Sequence, residues 1–395
     1  MSSFDIIISG GAMAGASLAL ALDKLSQGRL TIAVIEANAY DKHMLAGFDS
    51  RSIALSYGSI KLLKRVGLWG ELDPFATPIQ DIDITDRHHL GHVTISAQDQ
   101  GVDSLGSVIE LHDVGRVCVN QLTASDKISL FCPDRVETIT RDNTSTTVTL
   151  YSGQQLKSRL FVAADGAYSQ TTQQLGMTRS SYDFGQVAVI ANIETELPHQ
   201  GQAFERFTTH GPVALLPMSQ QRSSLVWCFP PEQAEKVMSW SDEAFLNQLQ
   251  KTFGWRLGKL KKTGRRDAYP LFLNTNQSTI THRAVAIGNA AQALHPIAGQ
   301  GFNLGLRDVT DLADVIVEAL NQQQDIGCHQ TLRQYRECRQ RDKEVTINGT
   351  SGLVHLFANN YWPLVVGRNL GLMAMESCST LKQPLIKQAM GLVSS

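Results

Sequence analysis

The chain is predicted to fold as an α/β protein in which buried parallel strands carry an inserted, mostly antiparallel sheet lobe and lead into a helical C-terminal region. Three observations carry that prediction. In the first, Phe4-Asp5-Ile6-Ile7-Ile8-Ser9 runs into Gly10-Gly11-Ala12-Met13-Ala14-Gly15 and a helix-like Ala16 to Leu22, and a second apolar run, Leu30 to Ile35, ends at Glu36. Strand, tight turn, helix and second strand, with an acid roughly twenty residues past the glycines, form a dinucleotide-binding βαβ unit, so the first domain is Rossmann-like. In the second, two more buried runs end at small residues: Arg159 to Ala164 breaks at Asp165-Gly166, and Ala284 to Ile287 at Gly288-Asn289. Ligands of open α/β sheets bind at such strand ends. In the third, the helical period is lost between Phe184 and Pro230, where Val187 to Ile193, Ala203 to Phe207, Val213 to Leu216 and Ser223 to Phe229 read as strands divided by Gly and Pro turns.

Within the βαβ unit each position has a physical task. Gly10 permits the turn, the small residues after it let the backbone approach a pyrophosphate, and Gly15 lets the helix pack closely on the strand. The phosphates then meet the free N–H groups at the positive end of that helix. Glu36 is placed to accept hydrogen bonds from an adenosine ribose. Ala12 stands where the middle glycine of G-x-G-x-x-G is expected, adding a methyl group at the closest approach.

Composition narrows the function classes. At 395 residues the chain exceeds the usual single-core size, which predicts two domains or one with a capping layer. Lys+Arg 35 against Asp+Glu 37 leaves no basic surplus for nucleic acid. The N-terminus lacks a secretory pattern, which predicts a cytoplasmic protein. The six cysteines lack zinc spacing and are expected as free, mostly buried thiols. No metal is expected either at His88, His89 and His92, which read as turn histidines. The stretch Ala284 to Leu306 contains no Asp, Glu, Lys or Arg, but its glycines, amides and His295 are too polar for a lipid-facing span, and it is expected to face a ligand.

In chain order, Arg51 precedes a predicted helix over Ser59 to Leu68, and Ile79 to Glu110 alternates like antiparallel strands. Leu111 to Leu122 is expected as a helix containing Arg116, followed by strands at Ser129 to Cys132 and Thr147 to Tyr151. Ala234 to Phe253 returns to helix, with Phe245, Leu246 and Leu249 on its apolar face. After the loop Leu294 to Gly301, a helix carries Leu306, Val309, Leu312, Ala313, Ile316 and Leu320 as one stripe, and its start at Gly301-Phe302-Asn303 is a second place for a negative ligand. From Thr331 onward the chain reads as helical, with a solvated basic face of Arg333, Arg336, Arg339, Arg341 and Lys343.

The N-terminal glycines with Glu36, the Ala164-Asp165-Gly166 motif, and Gly288-Asn289-Ala290-Ala291 followed by His295-Pro296 and Gly299-Gln300-Gly301 occur in a fixed order. That ordered triple resembles the single-component FAD-dependent aromatic hydroxylases of the para-hydroxybenzoate hydroxylase type. Four further stretches narrow the resemblance: Gly47 to Leu55, Ala203-Phe204-Glu205-Arg206-Phe207, Gly211-Pro212 with Leu215-Leu216-Pro217, and Leu353 to Ala358. They are similar to the ubiquinone-biosynthesis hydroxylases, in particular those acting on 2-polyprenyl-6-methoxyphenol, and the resemblance runs nearly end to end. It implies a Rossmann-like FAD-binding domain with an inserted substrate lobe. The segments would be 1–75 (FAD-binding βαβ), 76–110 (substrate-lobe strands), 111–180 (FAD-binding domain continued), 181–275 (antiparallel substrate lobe), 276–325 (flavin-facing loop and helix) and 326–395 (C-terminal helices).

The implied reaction converts 2-polyprenyl-6-methoxyphenol to 2-polyprenyl-6-methoxy-1,4-benzoquinol with FAD, NADH or NADPH, and O₂, through a flavin C4a-hydroperoxide. By position, Gly10, Gly11, Ala12, Met13, Ala14, Gly15 and Glu36 would hold the ADP half of FAD. Arg51, Arg116, Asp165 and Gly166 match further cofactor positions, and Gly288, Pro296, Gly299, Gln300, Gly301, Phe302 and Asn303 would surround the flavin. Asn289 replaces an Asp usual in the family and Gln292 a frequent His. No nucleophile is required. His295 is the candidate catalytic side chain beside the flavin-adjacent Pro296, with a structural role as the alternative. With no second G-x-G-x-x-G, the nicotinamide would visit transiently. The family setting implies peripheral contact with the inner face of a membrane, a complex of ubiquinone-pathway proteins, and room for a homo-oligomer. Two alternatives stay open: hydroxylation at another ring position, and a non-catalytic flavoprotein subunit. Halogenase chemistry lacks its W-x-W-x-I-P pattern, since Trp227 is followed by Cys228-Phe229-Pro230.

Overall fold

A run of three isoleucines dictates the centre of the first layer: Ile6, Ile7 and Ile8 are fully buried, so their strand needs cover on both faces, as parallel strands do. The computed structural model describes residues 1–39, 49–87, 90–294, 300–357 and 362–392. In chain order the first half comprises β1 (Ser2–Ser9), α1 (Met13–Ser26), β2 (Ile32–Ile35), β3 (Ser52–Ser56), α2 (Tyr57–Arg65), α3 (Trp69–Leu72), β4 (Thr77–Ile79), β5 (Asp81–Asp86), β6 (His92–Ser96), β7 (Gly106–Glu110), α4 (Leu111–Ala124), β8 (Ile128–Phe131), β9 (Val136–Arg141), β10 (Thr146–Leu150), β11 (Gln155–Ala163) and α5 (Gln170–Gln174). The second comprises β12 (Arg179–Thr195), β13 (Gln202–Thr208), β14 (Gly211–Pro217), β15 (Arg222–Phe229), α6 (Pro231–Ser239), α7 (Asp242–Phe253), β16 (Leu260–Thr263), β17 (Asp267–Asn276), β18 (Ile280–Thr281), β19 (Ala284–Ala286), β20 (Gln292–Ala293), α8 (Gln300–Asn321), α9 (His329–Phe357), α10 (Trp362–Ser377) and α11 (Ser379–Ala389).

The predicted α/β class holds. One sheet has the order β18-β19-β11-β1-β2-β8, with the β9–β10 hairpin leaving β11. In it β1 lies between β2 and β11, both parallel to it, with Ile8 opposite Val34 and Val162. The carboxyl ends of β1, β2, β11 and β19 therefore share one edge, and the motifs at Gly10, Glu36, Asp165 and Gly288 come together there. Helices α1, α4 and α8 cover one face of this sheet, and the largest apolar cluster lies between.

The second sheet has the order β20-β17-β12-β15-β14-β13-β5-β6, and all its pairings are antiparallel except β5 with β13. Helices α6 and α7 pack on one face, α6 through Ala234 and Val237 and α7 through Phe245, Leu249 and Phe253. β3, β7 and β4 form a small sheet joining the two layers.

Several expectations change. The helix expected over Ala234 to Phe253 is two helices, because Ser241 caps α7 by accepting the Ala244 N–H at 3.2 Å. β9, β16 and β17 had no sequence signal: β17 contains Pro270, which sits beside a bulge between Asp183 and Val187. Arg51 precedes β3, not a helix. Of the thiols expected to be mostly buried, Cys118 and Cys228 are buried, whereas Cys338 and Cys378 are exposed. The basic face expected to be solvated is divided: Arg333 and Arg341 face water, but Arg339 and Lys343 are buried against α8. Among the described residues no helix is long and apolar enough to cross a membrane.

Candidate active site

The turn after β1 is built so that nothing larger than hydrogen fits. Gly10 has φ +104°, and a Cβ there would lie 2.4 Å from the Ala164 carbonyl oxygen. A Cβ on Gly15 would lie 1.9 Å from the Gly10 oxygen. The turn is tied to its sheet neighbour by Gly10 N–H donating to the Ile35 carbonyl at 2.8 Å. Ala12, the exposed N-cap of α1, supplies no side-chain cap, and no acid lies in the first turn through Met13 and Ala14. The positive helix end thus remains open to an anion.

Glu36, at the tip of β2, accepts the Gly11 N–H at 2.7 Å and the Asn38 N–H at 2.9 Å. Its carboxylate is held at the rim of the turn. A glycine cradle, an uncapped helix end and an oriented acid fit the ADP half of FAD. Glu36→Ala is expected to weaken FAD binding by about tenfold or more, the scale of ~1.5–3 kcal/mol for hydrogen bonds to a charged group, in a flavin-fluorescence titration.

A second turn meets the first. Gly288 has φ +57°, and a Cβ on it would lie 3.0 Å from the Ala14 Cβ. α8 approaches as closely, since a Cβ on Gly305 would lie 3.2 Å from the Gly288 Cα. Asp308 of α8 fixes this turn by accepting the Gly288 N–H at 3.1 Å and the Gln292 amide at 2.6 Å. Gln292 is therefore a structural tie. Asn289 is exposed and lines a cavity, as do the half-buried Gly301 and Phe302 at the start of α8, which begins at Gln300. Asn303 is committed elsewhere: its carbonyl accepts the Ser56 N–H at 2.9 Å and its amide donates to the Ala54 carbonyl at 3.1 Å, which pins β3 to α8. His295, Pro296 and Gly299 lie outside the described residues.

The other predicted positions are less directly placed. The Asp165 carboxylate accepts the Thr171 N–H and hydroxyl at 3.1 and 2.7 Å and the Ser169 hydroxyl, so it organises the start of α5 beside Gly166. Arg116 pairs with Asp113 at 3.0 Å and covers the Phe75 ring at 4.6 Å. Arg51 is exposed and reaches the Tyr269 hydroxyl at 3.4 Å.

Between the two sheets and the C-terminal helices lies a cavity of about 680 Å³. Asn289, Leu294, Gly301 and Phe302 form one end, and the sheet supplies Ile82, Ile84, Phe207, Ala214 and Leu216. Leu364, Leu372 and Met375 of α10 and Leu385 of α11 close the other side, a contribution that sequence patterning missed. Arg368 of α10 also lines it and is held by Asp86 at 2.8 Å. The wall is mostly apolar. Glu205, given no role by its sequence position, stands among these residues, and burial pushes its carboxyl up to about 7.

A family model described as an FAD binding domain matches residues 3–347. Ubiquinone hydroxylase UbiL of Rhodospirillum rubrum is 33% identical over 98% of this chain and 89% of its own, and the 3-demethoxyubiquinol 3-hydroxylase of Escherichia coli is 30% identical over 98% of both chains. The chain belongs to the FAD-dependent hydroxylases of ubiquinone biosynthesis. This hydroxylase also shares its fold with the solved p-nitrophenol 4-monooxygenase PnpA of Pseudomonas putida, at TM-score 0.80 and 16% identity over 98% of both chains. Such enzymes are monooxygenases that use FAD.

Proposed function

We propose that this hydroxylase converts a 2-polyprenyl-6-methoxyphenol to 2-polyprenyl-6-methoxy-1,4-benzoquinol, with NADH or NADPH and O₂ as co-substrates. The observation that carries the reading is the apolar cavity reaching from Asn289 and Phe302 to α10 and α11. Its volume of about 680 Å³ suits a ring with part of a flexible isoprenoid chain. FAD, when bound, supplies the redox chemistry that carries electrons from the nicotinamide and one oxygen atom to the ring. The protein's residues do the rest. Gly10, Gly11, Met13, Ala14, Gly15 and Glu36 hold the adenosine diphosphate, Asn289 offers an amide to the ribityl chain, and the start of α8 presents N–H groups to the ring system. Arg51, Arg116 and Asp165 support the cofactor region from its periphery, and Gln300 stands at the start of α8, while His295, Pro296 and Gly299, outside the described residues, are assigned to the flavin by sequence position alone. The apolar wall orients the phenol and keeps water from the reacting centre.

The substrate's polyprenyl tail also bears on the setting. α10 carries Trp362, Val366, Leu370 and Met373 with large exposed apolar surfaces, on the helix that lines the cavity. That arrangement supports a cytoplasmic enzyme touching the inner face of a membrane, in company with other proteins of the pathway. A second reading, hydroxylation at a different ring position, is favoured by the name of the E. coli relative, a 3-hydroxylase.

The test is oxidation of NADH and NADPH by the flavin-loaded protein with and without a short-chain 2-prenyl-6-methoxyphenol, with the product analysed by mass and ring position. Stimulation with one oxygen added para to the hydroxyl supports the reading, and oxygen at another carbon selects the second one. Leu216→Trp, which fills the cavity, is expected to raise the substrate KM by about tenfold or more while leaving FAD affinity unchanged, because overpacking costs ~1–3 kcal/mol.

A further inference from the structure

Glu205 lies on β13 between Ala203 and Phe207, and alternation along the strand turns these three side chains to the cavity. Its cross-strand neighbours are Ile84 on β5 and Ala214 on β14, both apolar and both lining the same space. Arg206, next in sequence, turns to the opposite face and donates to the Phe253 carbonyl at 2.8 Å. Among the described residues nothing bonds to the Glu205 carboxyl, and the side chain, partly exposed, lines the cavity. An unpartnered carboxyl in an apolar wall is costly to a fold unless a ligand uses it.

We propose that Glu205 is the group that receives the hydroxyl proton of the bound phenol. This rests on the reading of the cavity as the phenol site. In the step, the phenol O–H bond breaks, its proton passes to a Glu205 carboxylate oxygen, and the electron pair of that bond stays on the phenol oxygen. The added electron density reaches the ring carbons ortho and para to it, where one atom of O₂, reduced by electrons that FAD would pass from NADH or NADPH, would form the new C–O bond as the O–O bond breaks and the other oxygen leaves as water. When the oxygenated ring carbon then loses its own proton to water, Glu205 returns the borrowed proton to the original oxygen. The ring regains its hydroxyl and Glu205 is again a carboxylate.

The surroundings suit this exchange. Burial alone raises the carboxyl to about 7, so both protonation states are accessible near neutral pH. The charged or titratable groups on the packed elements are few. Cys228 of β15 has a thiol pushed far up by burial and by the Glu205 charge, and Asp86 of β5 and Arg368 of α10 are occupied with each other.

The experiment is calorimetric titration of the FAD-loaded protein with a short-chain 2-prenyl-6-methoxyphenol and, separately, with its O-methyl ether, which has no proton to donate, between pH 5.5 and 8.5. The wild type is expected to prefer the phenol by about 10- to 100-fold above pH 7, with the preference shrinking at lower pH as the carboxyl is protonated. Glu205→Gln keeps the side-chain shape and is expected to lose both the preference and its pH dependence, while kcat falls by about 100-fold or more. Glu205→Asp should restore part of the pH dependence, which a purely structural carboxyl would not do. Equal binding of phenol and ether by the wild type, or an unaltered preference in Glu205→Gln, would overturn the proposal. If neither compound binds the wild type, the phenol-site reading fails first and takes the proposal with it.

Discussion

Gly15→Ala is expected to leave the protein unable to retain FAD through purification, with affinity reduced by about 100-fold or more. The added methyl carbon would lie 1.9 Å from the Gly10 oxygen and 3.1 Å from the Ile8 side chain. Neither can yield cheaply. The Gly10 backbone is tied to Ile35 by a 2.8 Å hydrogen bond, and Ile8 is fully buried in the sheet. Relief requires α1 to move off β1, which carries its positive end away from the place prepared for the phosphates. Overpacking of this kind costs ~1–3 kcal/mol where side chains can adapt, and here the obstacle is backbone. Flavin content, fluorescence titration and thermal unfolding of the apoprotein read the two consequences separately. Gly70→Ala is the control, since a Cβ there meets nothing within 4 Å, and it should leave both quantities unchanged.

Asp308→Ala is expected to destabilise the fold by about 3–5 kcal/mol, the scale for removing one partner of a buried ion pair. Asp308 is fully buried and bonds to Arg339 at 2.8 Å, with Lys343 at 3.3 Å. Arg307 with Asp342, and Arg339 with Asp342 and Asp311, extend the group, so two cations of α9 would be left with too little negative charge. Burial pushes the Asp308 carboxyl up, but the charges of Lys343 and Arg339 and the hydrogen bonds from Arg339 and Gln292 outweigh it and hold the carboxyl below its usual range. The sign follows. A depressed carboxyl stabilises the fold above its unfolded value of ~3.9, and that contribution disappears as pH falls through the lower folded value. Urea unfolding at pH 7 should show the loss. At pH low enough to protonate Asp308 in the wild type, the difference between wild type and variant should narrow. The same substitution frees the Gly288 N–H and Gln292, so flavin affinity should fall as well.

The parts legible in the sequence are those whose cause is local. Ile6 to Ile8 are a buried strand because three consecutive apolar side chains need cover on both faces, and Gly10 and Gly15 are glycines because their Cβ positions are already filled by backbone. Glu36 follows from the fixed length of one βαβ crossover. Periodicity likewise revealed β12 to β15 of the lobe, since alternation is a property of consecutive residues, but not β16 or β17. The basic face of α9 was misjudged because its partners lie elsewhere: Arg339 reaches Asp308, 31 positions back, and no local pattern separates it from the solvated Arg333 and Arg341. Asn303, expected near the flavin by position, has its side chain occupied by β3, and Gln292, which stands where relatives often carry a His, is tied to Asp308, both through contacts of the same non-local kind. The cavity is the clearest case. Arg368 meets Asp86 across 282 positions, and α10 and α11 close a space whose other walls come from β5, β13 and β14. Glu205 looks like an ordinary strand glutamate in the chain. Its raised pKa arises from desolvation, which depends on how many non-neighbouring atoms displace water around a carboxyl, and packing sets that number.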